Sequence, residues 1–114
     1  MKIVDLQTFK AMPEGTVFMK FEPCIFGDLC VKAETMERDF VAASLTDGID
    51  ASDSGEMADK LFAAMKDPDL SISMDFEAYS RDGMFEDDQM FAVYEKADIE
   101  GLVKKLSECL LAYT

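Results

Sequence analysis

Polar and apolar residues alternate from Thr16 to Glu22, which places Val17, Met19 and Phe21 on one side of a strand and Phe18 and Lys20 on the other. The same period of two recurs from Leu29 to Glu34, where Leu29, Val31 and Ala33 alternate with Cys30, Lys32 and Glu34. Pro23 and Gly27-Asp28 join these two segments as a hairpin with a long connection. Phe40 to Leu45 predicts a short third strand. Ser71 to Phe76 sets Ile72, Met74 and Phe76 on one face of a fourth, and Gln89 to Tyr94, apolar on both faces, predicts a central fifth. Glu77 to Asp88 then forms the loop between the fourth and fifth strands.

Three stretches follow the helical period instead. Asp5 caps a short turn that carries Leu6, Phe9 and Met12 inward, and Pro13-Glu14-Gly15 ends it. Asp53, with Glu56 three residues on, opens a helix running through Lys66; Met57, Leu61 and Met65, with Ala58 and Phe62 beside them, form its apolar stripe. Ala97 to Ala112 carries Ile99, Leu102, Val103, Leu106, Cys109 and Leu110 on one side. Gly101 inside this helix implies that a strand passes close to it. The order of elements predicts one α+β domain over residues 1–114, built on a mainly antiparallel sheet of about five strands. Two main helices and the short N-terminal one are expected on a single face of that sheet.

Charge changes the picture most. The 114 residues carry a net charge of -13, and its placement is uneven. Met1 to Met36 holds five acids and four bases, Lys96 to Thr114 three of each, and Glu37 to Glu95 sixteen acids against four bases. Such a field repels phosphate backbones and anionic membranes, so direct nucleic-acid or membrane binding is disfavoured and a basic protein surface or a hard cation is favoured. No apolar run approaches a membrane span, and no cleavable leader is visible, which predicts a cytoplasmic protein. Cys24, Cys30 and Cys109 are odd in number and lack CxxC spacing, so buried reduced thiols are expected.

The chain has no histidine, which removes the commonest general base and most nucleophile-base pairs. Its six glycines are isolated from one another, so no phosphate-cradling loop exists. A calcium loop starting at Asp50 fails, because Leu61 stands where a bidentate Glu is needed. No catalytic residue, cofactor or metal is therefore expected. The favoured site is a partner-binding loop in which Asp75, Glu77, Asp82, Glu86, Asp87 and Asp88 steer a basic partner while Met84 and Phe85 supply an apolar anchor. Ile25 and Phe26, in an unusually apolar connection, form a secondary patch. Two alternatives compete with it: a carboxylate or magnesium enzyme drawn from the same acids, and an oligomeric receptor for a small molecule or nucleotide. Only Arg38, Arg81 and scattered lysines would face an anion in the second.

Met12-Pro13-Glu14-Gly15-Thr16, Glu22-Pro23-Cys24-Ile25-Phe26-Gly27 and Phe85-Glu86-Asp87-Asp88-Gln89 resemble segments of a group of small, uncharacterised phage and prophage proteins. The resemblance implies a host-cytoplasm setting. Small acidic phage proteins that are not structural resemble inhibitors of host defence, which points to a non-enzymatic protein docking on a basic, nucleic-acid-binding surface of a host protein. A homodimer is the expected assembly.

Overall fold

The core forms where a helix of only five residues lies against a sheet. The Asp5 carboxylate accepts the Thr8 amide at 2.8 Å, starting α1 (Leu6–Lys10) and aiming Leu6 and Phe9 at the sheet. In the computed structural model, which describes residues 1–83 and 85–113, Phe9 is fully enclosed. Its ring lies 4.6 Å from that of Phe18, 5.0 Å from Phe40 and 4.0 Å from Phe91, stacked flat on the last. Each buried ring contributes about 2–3 kcal/mol of transfer free energy, with smaller aromatic-pair terms added.

The sheet consists of β1 (Lys2–Asp5), β2 (Val17–Glu22), β3 (Ile25–Phe26), β4 (Cys30–Met36), β5 (Asp39–Ser44), β6 (Ser80–Arg81) and β7 (Met90–Val93). The order is β1-β7-β2-β4-β5-β6, with β3 paired to β2 and all pairs antiparallel. Among the described residues seven strands replace the five expected: the one expected at 71–76 is missing, β1 joins the sheet, and β3 and β6 add two-residue edges. β7 is the interior strand that its two apolar faces predicted, flanked by β1 and β2. Strand alternation puts Phe18, Phe40, Phe91 and Val93 on the face under α1, and Val17, Met19, Val31 and Ala43 on the opposite face.

A buried lysine fastens α1 to this face. Lys32 Nζ donates to the carbonyls of Met12 at 3.1 Å and Ala33 at 3.2 Å and to Thr35 Oγ1 at 2.7 Å, and Thr35 in turn donates to the Lys10 carbonyl. Burial lowers its pKa from the ordinary lysine value. The ammonium thus holds the Met12 carbonyl just past the end of α1, and Thr35 extends the tie to the Lys10 carbonyl of the helix itself.

Three expectations are corrected. The strand predicted from Ser71 to Phe76 reduces to one bridge, Ile49 to Met74. Asp50 N donates to the Ser73 carbonyl and Asp75 N to the Gly48 carbonyl, so this segment pairs with the turn after β5. Gly48 is required there, since a Cβ would overlap the Asp75 carbonyl. The hairpin linking this segment to β7 is therefore absent.

Second, α2 (Ser54–Lys66) and α3 (Lys96–Leu111) form as predicted but contribute no buried residue. Phe62 is 60 % exposed, Met65 79 %, Val103 58 %, Leu106 58 % and Leu110 68 %. Only α1 packs into the core. Third, among the described residues nothing comes within 4 Å of the position a Cβ on Gly101 would take, so no described strand passes there.

Candidate docking face

The segment expected to project as an acidic loop runs across the sheet instead. Ser80 and Arg81 pair with Ala42 and Val41 at the sheet's edge, and the Asp82 amide donates to the Phe40 carbonyl at 2.9 Å. Asp82 Oδ2 then meets Lys20 Nζ at 2.9 Å, and Phe85 lays its ring on Phe40 with centroids 5.7 Å apart. Phe85 is half-buried against the core, so it buttresses the sheet and does not project as the anchor assigned to it from sequence. Met84 lies outside the described residues.

Asp39 pins this strap. Its carboxylate accepts the amides of Phe40 at 2.8 Å and Gly83 at 3.0 Å, and Arg81 Nε at 3.2 Å. Burial works to raise the Asp39 pKa, but the two amides and the guanidinium outweigh it and hold the carboxyl below its ordinary value. Gly83 adopts a φ of 64°, a left-handed conformation that lets its amide turn back to Asp39.

After Phe85 the chain turns at Asp87-Asp88, closed by the Gln89 amide donating to the Glu86 carbonyl at 2.9 Å. Gln89 Nε2 donates to the Phe21 carbonyl at 3.1 Å and binds the turn to β2. A groove of about 440 Å³ results, lined by Phe21, Glu22, Pro23, Glu86, Asp88 and Met90 among others. Beside it Pro23-Cys24 makes the two-residue turn between β2 and β3, and the Phe26 ring rests 5.3 Å from Phe21. Ile25 and Phe26 stay 62 % and 49 % exposed.

Two patches far apart in sequence thus form one end of the sheet, with carboxylates on one side and apolar side chains on the other. Among the described residues, Glu22, Glu86, Asp87 and Asp88 form no ion pair with lysine or arginine. Asp75 and Glu77 do not line this groove; Asp75 Oδ1 accepts the Glu77 amide at 2.8 Å in a local turn. Asp82 is committed to Lys20. Glu22 and Pro23 were not picked out from sequence as site residues, although the apolar turn they introduce was the available signal.

The chain's only two arginines meet at a second place. Met36 and Asp39 pair across the two-residue turn Glu37-Arg38, where Glu37 has a φ of 40°. Arg38 at that tip and Arg81 on β6 line one cleft of about 590 Å³ with Met36 and Glu37.

Cys24, Cys30 and Cys109 are all free. Cys24 and Cys109 are exposed, against the expectation of buried thiols, and half-buried Cys30 has its thiol pushed up to about 11, first by burial and then by nearby aspartates. Among the described residues no group of three or more Cys, Asp or Glu is placed to hold a metal ion, and no helix is long and apolar enough to cross a membrane. The chain matches no protein-family model, and neither a curated protein nor a solved structure is similar to it.

Proposed function

We propose that this protein is a non-enzymatic acidic binding protein that docks the groove end of its sheet on a basic, nucleic-acid-binding surface of a host protein. The observation that carries this reading is that Glu22, Glu86 and Asp88, which form no ion pair among the described residues, line one groove, with Asp87 in the same turn and exposed Ile25 and Phe26 paired opposite Glu22 and Phe21. Carboxylates supply steering and charge specificity, while the two apolar side chains supply desolvated area, which charge alone lacks. Phosphate-like charge on a folded body competes for the surface that otherwise holds a nucleic-acid backbone.

The test is capture from host lysate at low and high salt, followed by competition with DNA or RNA on the captured protein. The Glu86→Ser, Asp87→Ser, Asp88→Ser triple variant loses the captured protein by tenfold or more and flattens its salt dependence, with the fold intact. Equal capture by triple variant and parent rejects this end of the sheet as the site.

A second reading is favoured by the cleft holding Arg38 and Arg81: an oligomeric receptor for an anionic small molecule such as a nucleotide. Arg38 and Arg81 line this cleft in a chain of net charge -13, and the guanidinium donors that Asp39 does not use are suited to phosphate. Under this reading a nucleotide co-purifies and is detected by mass measurement, and Arg38→Gln abolishes its retention.

A further inference from the structure

An exposed apolar stripe lies on α3, away from both clefts, as another does on α2. Ile99, Val103, Leu106 and Leu110 recur at the helical period and form one stripe, and each is at least 36 % exposed. An isolated domain has no physical reason to keep such a stripe in water. A folded chain of 12.7 kDa exposes about 6,200 Å² on the general size scaling, whereas this one exposes 8230 Å². Its radius of gyration is 16.0 Å, against about 13 Å for a compact domain of this length. The excess of about 2,000 Å² belongs to the whole chain, the bare face of α2 included, and it leaves room for the ~800 Å² per partner of a standard interface.

Charge indicates what covers it. α3 carries Lys96, Lys104 and Lys105 against Asp98, Glu100 and Glu108, so it is neutral in a molecule of net charge -13. Two copies can therefore meet at this helix with their acidic surfaces held apart. Asp98 is held within its own chain by the Met1 ammonium at 2.6 Å and the Glu95 amide at 2.8 Å, so the contact rests on the apolar stripe and not on this carboxylate.

The receiving surface is contiguous with the stripe. A groove of about 520 Å³ lies beside the start of α3, lined by Met12, Pro13, Val17, Tyr94 and Ile99 among others. Antiparallel overlap centred near Leu102 carries the C-terminal half of one α3 past the N-terminus of the other and over this groove.

We propose that α3 pairs antiparallel with α3 of a second copy about a two-fold axis near Leu102, with Leu106 and Leu110 of each copy filling the groove of the other. The contact is isologous and closed, so it yields a dimer and not a filament. It is independent of the acidic groove and of the arginine cleft.

Sedimentation velocity on the full chain from 1 to 100 µM gives twice the mass of one chain, and Leu106→Glu with Leu110→Glu gives the single-chain mass with far-UV circular dichroism retained. If that variant unfolds, Val103→Lys serves in its place: it sets an ammonium from each copy on the stripe and weakens the dimer severalfold at low salt. With Cys24 and Cys109 replaced by Ser and a mild oxidant added, Leu102→Cys forms a disulfide-linked dimer and Leu110→Cys does not. A monomer throughout the range overturns the proposal, as does a dimer indifferent to these changes. Cross-linking at Leu110 and not at Leu102 overturns the antiparallel arrangement.

Discussion

α1 and α3 are both amphipathic helices that start at an acidic cap, yet one is sealed and the other bare. α1 has five residues and both of its large apolar side chains are buried. α3 has sixteen and none of its side chains is buried. The contrast shows that a period of 3.6 declares that a helix face is to be covered, and is silent on whether the cover belongs to the same chain. α1 is covered because Asp5 ends β1 directly beneath the sheet's aromatic face, leaving the helix no freedom to lie elsewhere. α3 begins at the far end of β7 and runs off the sheet.

The sharpest way to break this comparison is to truncate one ring. Phe9→Ala removes the side chain in contact with Phe18, Phe40 and Phe91 and is expected to cost about 3–5 kcal/mol in urea unfolding. Leu106→Ala is expected to leave the stability of a dilute single chain within about 0.5 kcal/mol, since it creates no cavity. A large loss at Leu106 in dilute protein would mean that α3 belongs to the chain's own core after all.

Asp39 ranks next. Asp39→Ala strands the amides of Phe40 and Gly83 and is expected to cost about 2–3 kcal/mol. Because the folded-state pKa of Asp39 lies below its ordinary 3.8, its contribution is complete above that value. It is lost as pH falls through the lowered folded-state value. Unfolding followed from pH 6 to pH 2 should show a smaller acid-induced loss in Asp39→Asn than in the parent.

The smallest effect has the opposite sign. Cys24 holds a φ of 67° as the second central residue of the Pro23-Cys24 turn, a position that ordinarily asks for glycine. Relief of that strain, less the added freedom of the unfolded chain, should make Cys24→Gly more stable by about 0.5–1 kcal/mol in the same urea titration.

Much of this fold was legible in the residues because local rules and tertiary structure agree there. Val17 to Glu22, Cys30 to Met36 and Met90 to Val93 alternate or fill both faces as their places in the sheet demand, and Asp5 and Asp53 cap the helices they precede. Ser71 to Phe76 misled because a strict alternation of apolar and polar residues satisfies a single bridge to Ile49 as well as a full ladder. Phe85 misled for another reason: placed among Asp82, Glu86, Asp87 and Asp88 it reads as a surface residue, and only the crossing of the strap over Phe40 draws it inward. The meeting of Glu22 with Glu86 and Asp88, and of Arg38 with Arg81, depends on the pairing of distant strands, which no local pattern encodes.

The lysine beneath α1 has a kinetic consequence. A helix of five residues cannot persist by itself, and lifting this one would expose a ring cluster and break the Lys32 bond to the Met12 carbonyl together with the Thr35 bond to the Lys10 carbonyl. No cheap partial opening is left to it. The amides of Phe9 and Lys10, which lie past the unpaired first turn, should then take up deuterium as slowly as those of β7, and a protease should cut the tail of α3 long before it finds residues 6–10.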